Sequence, residues 1–197
     1  MIYQLNRDEA ALLVIDMQKG FIEEGAAMEV PPGREIIPNI QRLIDVSRQE
    51  GIPVIYTRFV YSTLVPNLIG ELHPLHKPPT GCCMLGDPSV EIVEALTPQH
   101  GDLVVDKHGY NAFHHTSLDY ALRSLGRNQL IFTGVMTDIC VLSTITSALH
   151  YEYQLWAVSD ATATLWPNVQ TVTLDLVERA YGKVTHTEEI LHQLAKS

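Results

Sequence analysis

The sequence is poor in three things, and each shortage closes off a class of function. Positive charge is scarce: 13 Lys and Arg stand against 23 Asp and Glu, a formal net charge of −10. A surface of that sign repels nucleic-acid phosphates and anionic lipid, so neither nucleic acid nor membrane is an expected partner. Long apolar runs are missing. No stretch approaches the ~18 residues that a spanning helix needs, and Met1 to Glu9 has no leader pattern. Cysteine is rare. Cys82 and Cys83 are adjacent and Cys140 stands apart, a pattern that suits a reducing compartment better than a disulfide framework. A soluble, cytoplasmic protein is expected.

What is present is enough apolar material for a core. With 197 residues, 46% of them hydrophobic, one domain spanning 1–197 is expected to fold without staples. Apolar runs alternate with helical spacing. Ala10 to Ile15 (AALLVI) reads as a buried parallel strand that ends on Asp16. Arg34 to Glu50 carries apolar residues on one helical face and stops at Gly51. Further strands are expected at Pro53 to Thr57, Asp102 to Val105, Gln129 to Thr133, Leu155 to Val158 and Lys183 to Thr185. Helices are expected at Ser89 to Leu96, Ser117 to Leu125, Ile139 to Tyr151, Val169 to Tyr181 and Glu188 to Ala195. This alternation predicts an α/β fold with a mainly parallel sheet covered on both faces. The stretch Val60 to Asp87, rich in Pro and Gly, is too long for an idle loop and reads as functional or interfacial.

In open α/β sheets ligands bind beyond the carboxyl ends of the strands. Asp16, Arg58, Lys107 and, across a short turn, Cys140 are all expected at that edge. Alone, Asp16 reads as a turn cap, Lys107 as a solvated loop residue and Cys140 as core. Together they form an acid, a base and a thiol with coherent chemistry. A thiol attacks only as thiolate. A helix start and a nearby Lys107 are expected to lower the Cys140 pKa. Asp16 can take a proton and return it to a leaving amine. Backbone N–H groups from Met136 to Cys140 can hold an oxyanion.

ALLVIDMQKGF, VVDKHGYNAFHHTSLDYALRSLG and IFTGVMTDICVLSTITSAL occur in this order, followed by AVSDATAT. These segments resemble the isochorismatase-like cysteine hydrolases, among them nicotinamidases, N-carbamoylsarcosine amidases and biuret-type amidases. The resemblance runs from about Ala11 to Leu191. It implies a three-layer α/β/α Rossmann-like sandwich with a six-stranded sheet. It implies Asp16, Lys107 and Cys140 as the catalytic residues, a cis peptide between Val135 and Met136, and an oxyanion hole from the backbones of Met136 and Cys140. It also implies assembly into dimers or tetramers.

The chain departs from the nicotinamidase branch, which has an Asp-x-His pair and a further His after the second strand. Here Thr57-Arg58-Phe59-Val60-Tyr61 stands in that place, so neither a metal nor any other cofactor is expected. His73, His76, His108, His114 and His115 have no ligand spacing on one helix or strand. Asn111 stands where many members have Ser, and Gln170 about where many have His. Arg58, Asn111 and Gln170 are therefore candidates for substrate binding, with Phe21, Phe59, Tyr61 and Trp166 as candidate walls. Cys140 favours hydrolysis of a small amide or ureido compound. Vinyl-ether hydrolysis and a catalytically silent binding protein are the competing readings.

Overall fold

The computed structural model describes residues 4–64 and 67–195. Six strands form one parallel sheet in the order β3-β2-β1-β4-β5-β6. They are β1 (Ala10–Ile15), β2 (Val54–Phe59), β3 (Leu103–Lys107), β4 (Gln129–Val135), β5 (Gln154–Ala163) and β6 (Lys183–Thr185). The helices are α1 (Lys19–Ile22), α2 (Pro32–Glu35), α3 (Ile37–Gln49), α4 (Leu68–Leu72), α5 (Leu118–Ser124), α6 (Leu142–His150), α7 (Pro167–Ala180) and α8 (Thr187–Leu194). No helix among the described residues is long and apolar enough to cross a membrane.

Strand alternation explains the layers. Successive side chains point to opposite faces of a sheet. Leu12 and Val14 of β1 pack with Ile40, Leu43 and Ile44 of α3 and with Ile190 and Leu194 of α8. Ala11, Leu13 and Ile15 pack with Leu118 and Leu122 of α5, Ile145 and Ala148 of α6, and Val177 of α7. Each strand residue of β1 is buried, as a central strand between two helical layers requires.

Three elements depart from the sequence reading. The region Ser89 to Leu96 is not a helix but two single turns, Pro88–Val90 and Glu94–Leu96. The carbonyls that a helix would use are taken elsewhere. Val90 O accepts from Gln18 Nε2 (3.0 Å) and Glu91 O from Lys19 N–H (2.8 Å). The helix expected from Arg34 divides at Ile36, because Pro38 has no N–H to donate. β5 runs to Ala163, well beyond Val158, with a register shift against β4 between Phe132 and Gly134.

The end of β4 also lies very close to β1. Gly134 has φ +104°, and a Cβ placed there would lie 2.0 Å from the Ile15 carbonyl oxygen. The residue must therefore be glycine for both conformational and steric reasons. Gly134→Ala is expected to lower unfolding stability by at least about 2 kcal/mol, measured by urea denaturation. A change under about 0.5 kcal/mol would show that this approach is not tight.

Candidate active site

β1 ends at Ile15, and Asp16 turns out of the strand with φ +51°, a left-handed conformation that Asp tolerates better than most residues. Its Oδ1 accepts a hydrogen bond from Thr57 Oγ1 on the neighbouring β2 (2.6 Å). Its Oδ2 lies 2.7 Å from Lys107 Nζ. Lys107 is the last residue of β3 and pairs in register with Phe59 of β2. The ammonium also donates to Gly109 O (2.9 Å) and reaches Cys140 Sγ at 3.5 Å. Two strand ends on either side of β2 thus meet across it. Both charges are out of water, with Lys107 at 0% and Asp16 at 1% side-chain exposure.

Cys140 comes from the turn that follows β4. The Val135–Met136 peptide is cis, and Thr137–Val141 is wound wider than an α-helix before α6 begins. The Met136 carbonyl accepts from both Ile139 N–H and Val141 N–H (3.1 Å each), with Cys140 N–H between them. Thr144 Oγ1 donates to Cys140 O (2.7 Å) and accepts from Ala112 N–H (3.1 Å), tying this turn to the segment after Lys107.

The electrostatics differ from the sequence reading in one respect. Burial pushes the Cys140 thiol well above its ordinary range; Lys107 opposes this and Asp16 adds to it. The expected lowering by Lys107 exists, but it does not win against loss of solvent. For Lys107 itself, burial disfavours the charge, yet Asp16 and Cys140 outweigh it and hold its pKa above normal. Burial thus favours the neutral thiol, and Asp16 favours the charged ammonium.

A cavity of about 70 Å³ opens onto Asp16 and Cys140. That is room for roughly five waters, so the site suits a small ligand. Phe21, Met28, Phe59, Val135, Met136 and Ile139 supply its apolar lining. His73, His76 and Tyr110 complete it. Among the described residues no group of three His, Cys, Asp or Glu side chains could hold a metal ion.

Not every candidate reaches this cavity. Phe21 and Phe59 do. Arg58 does not: it sits between Thr57 and Phe59 on a strand and so faces the other way. There it pairs with Asp106 (2.7 and 3.0 Å) and Glu91 (3.3 Å). Tyr61 is buried behind the wall, its ring 6.1 Å from that of His76. Asn111 is used structurally, donating to Ser147 Oγ (2.5 Å) and accepting from Phe113 N–H (2.8 Å). Gln170 donates to Thr162 O (3.0 Å), and Trp166 is half exposed at the start of α7. None of the last four lines the cavity.

His73, His76, Tyr110, Met28 and Ile139 line the cavity without having been singled out for it. Tyr110, three residues past Lys107, and the His73/His76 pair flanking Pro74 were the available signals.

Comparison with known proteins agrees with the geometry. A family model for the isochorismatase domain matches residues 10–189. The ureidoacrylate amidohydrolase RutB of Yersinia enterocolitica is 33% identical over 207 residues, covering 95% of this chain and 90% of that protein. A cysteine hydrolase from Pseudomonas syringae pv. phaseolicola superposes with a TM-score of 0.93 at 32% identity, covering 98% of this chain and 96% of that one. The N-carbamoylsarcosine amidase of Thermoplasma acidophilum gives a TM-score of 0.79 at 29% identity, with 91% and 97% coverage.

Removing the cation should therefore act on both stability and the thiol. Lys107→Met leaves a buried carboxylate unpaired and is expected to cost about 3–5 kcal/mol of unfolding stability. It should also raise the thiol pKa further, because Lys107 is the group that lowers it. Iodoacetamide labelling of Cys140, followed by mass spectrometry against pH, should shift to higher pH. An unchanged labelling profile would show that the ammonium does not act on the sulfur.

Proposed function

The chain belongs to the isochorismatase family of hydrolases, and on that footing we propose that it uses Cys140 to cleave the C–N bond of a small carboxamide or ureido compound. The observation that carries this reading is the buried Asp16–Lys107 pair at 2.7 Å, set 3.5 Å from the Cys140 sulfur at the inner end of a small cavity. Two of the relatives above are named amidohydrolase or amidase, which supports an amide over a vinyl ether.

The chemistry follows from the charges. With the thiol protonated at rest, a base must act, and Asp16 is the base within the site. Asp16 takes the Cys140 proton as Sγ bonds to the substrate carbonyl carbon. The resulting oxyanion is held by the backbone N–H groups of Met136 and Cys140. Lys107 stabilises the negative charge as it passes from carboxylate to sulfur. The intermediate collapses when the C–N bond breaks and Asp16 hands its proton to the nitrogen, so that ammonia or an amine leaves rather than an amide anion. Water then attacks the thioester, giving one proton to Asp16. The C–S bond breaks and the sulfur recovers a proton from Asp16, restoring the resting site.

Three measurements check this. Ammonia should be released from members of a panel of small amides and ureido compounds, without pyruvate from isochorismate. Cys140→Ala should abolish turnover and leave the circular dichroism unchanged; retained turnover would overturn the mechanism. Asp16→Asn should slow amide hydrolysis on the order of 10²–10⁴-fold, the usual contribution of a general acid–base group. Asp16 raises the thiol pKa, so its neutralisation lowers that pKa, and the variant should alkylate at least as readily as wild type from mildly acidic pH upward. A p-nitrophenyl ester, whose leaving group needs no proton, should lose less rate, because it forgoes only the base role of Asp16. Equal losses on ester and amide would remove the acid role.

A further inference from the structure

One wall of the cavity is built by a residue that takes no part in these proton transfers. His76 lies in the turn Pro74–His76 and is 2% exposed. Its Nδ1 is 2.8 Å from the Cys82 carbonyl oxygen. A carbonyl only accepts, so Nδ1 carries the proton and Nε2 of the neutral ring is an acceptor. Nε2 has no hydrogen-bond partner among the described residues, and the ring lines the cavity. Burial holds His76 below its ordinary pKa, with the Cys82 hydrogen bond opposing and His73 assisting, so the ring is neutral at neutral pH. Its ring packs against Phe59 at a tilt of 36°, with ring centroids 4.6 Å apart. Phe59 reaches back to the reactive end, where Lys107 Nζ stands 5.3 Å from the same ring.

The rest of the lining favours an uncharged ligand. Apart from Asp16 and Cys140, the polar side chains there are His73, His76 and Tyr110, and among the described residues no Arg or Lys lines the cavity. His73 Nε2 and Tyr110 Oη lie 2.9 Å apart and engage each other. A carboxylate tail would meet a lone pair and apolar walls with no cation in place of its lost water. A tail N–H would meet an acceptor that has no other partner.

We propose that His76 determines specificity by accepting a hydrogen bond at Nε2 from an N–H on the substrate's tail, so that the preferred substrates are neutral and carry that donor while ureido acids bind poorly. The identity of the scissile end rests on the hydrolytic reading above. Calorimetric titration of the Cys140→Ala protein tests the tail without turnover. The probes are ureidoacetamide, its tail N,N-dimethyl counterpart and ureidoacetate. Ureidoacetamide should bind on the order of 10-fold to 100-fold more tightly than the other two, the range for one buried hydrogen bond left unmade. Adding His76→Phe, which keeps a ring on Phe59, should erase that preference while the dimethyl compound binds as before. Adding His76→Gln instead, which keeps an acceptor, should restore part of it. Equal affinities in Cys140→Ala, tighter binding of ureidoacetate, no binding by any probe, or a preference that survives His76→Phe overturns the proposal. If the His76→Phe protein does not fold, the order of the three probes in Cys140→Ala decides alone. Failure of the hydrolytic reading shows separately, as wild-type protein that releases no ammonia from the amide panel, and it leaves the binding order standing.

Discussion

The arrangement depends on one ion pair held away from water. Moving a carboxylate and an ammonium out of solvent costs several kcal/mol for each ion, and their attraction offsets this only with close geometry and further hydrogen bonds. Both conditions are met here by elements far apart in the chain. Thr57 binds the second carboxylate oxygen of Asp16, and the Gly109 carbonyl takes another ammonium proton of Lys107. The sheet order puts β2 between the two strands that bear the charges, so the pair closes across a strand whose own side chain completes it. The same pair sets the state of the sulfur. Cys140 is too deeply buried to ionise alone, and the two charges beside it pull its equilibrium in opposite directions.

The central strands were legible because burial on both faces leaves an unbroken apolar run, as in AALLVI and QLIF, and such runs end where chemistry begins. The convergence of Asp16, Lys107 and Cys140 followed from strand ends sharing one edge. What the sequence did not disclose depends on side chains acting at a distance. The helical periodicity at 89–96 is real in the sense that Val90, Ile92, Val93 and Leu96 are all buried. Its backbone, however, is claimed by Gln18 and Lys19, and no local pattern reports that. Arg58 stands at the expected height on its strand but on the face away from the cavity, a one-residue matter that alternation governs. Asn111 and Gln170 are engaged with nearby protein groups rather than with the cavity. His73 and His76 were visible as residues, but their place at the cavity depends on the path of a loop with few periodic constraints.

Gln18 deserves to be weighed apart from the reacting groups. It is fully buried, and its amide accepts from Phe59 N–H (2.7 Å) while donating to Phe59 O and Val90 O (3.0 Å each). The backbone around it continues the seam, with Lys19 N–H on Glu91 O and Val93 N–H on Met17 O. One side chain therefore joins the end of β1, the end of β2 and the far end of the segment that supplies His73 and His76. Position 18 and the 60–93 segment are thus coupled mechanically through one amide. A loop path that cannot meet the amide leaves Gln18 Nε2 one acceptor short, whereas loss of the amide itself strands Phe59 N–H, Phe59 O and Val90 O in the interior. Changes to the side chains of the cavity wall therefore disturb this seam less than changes to the backbone path that carries them.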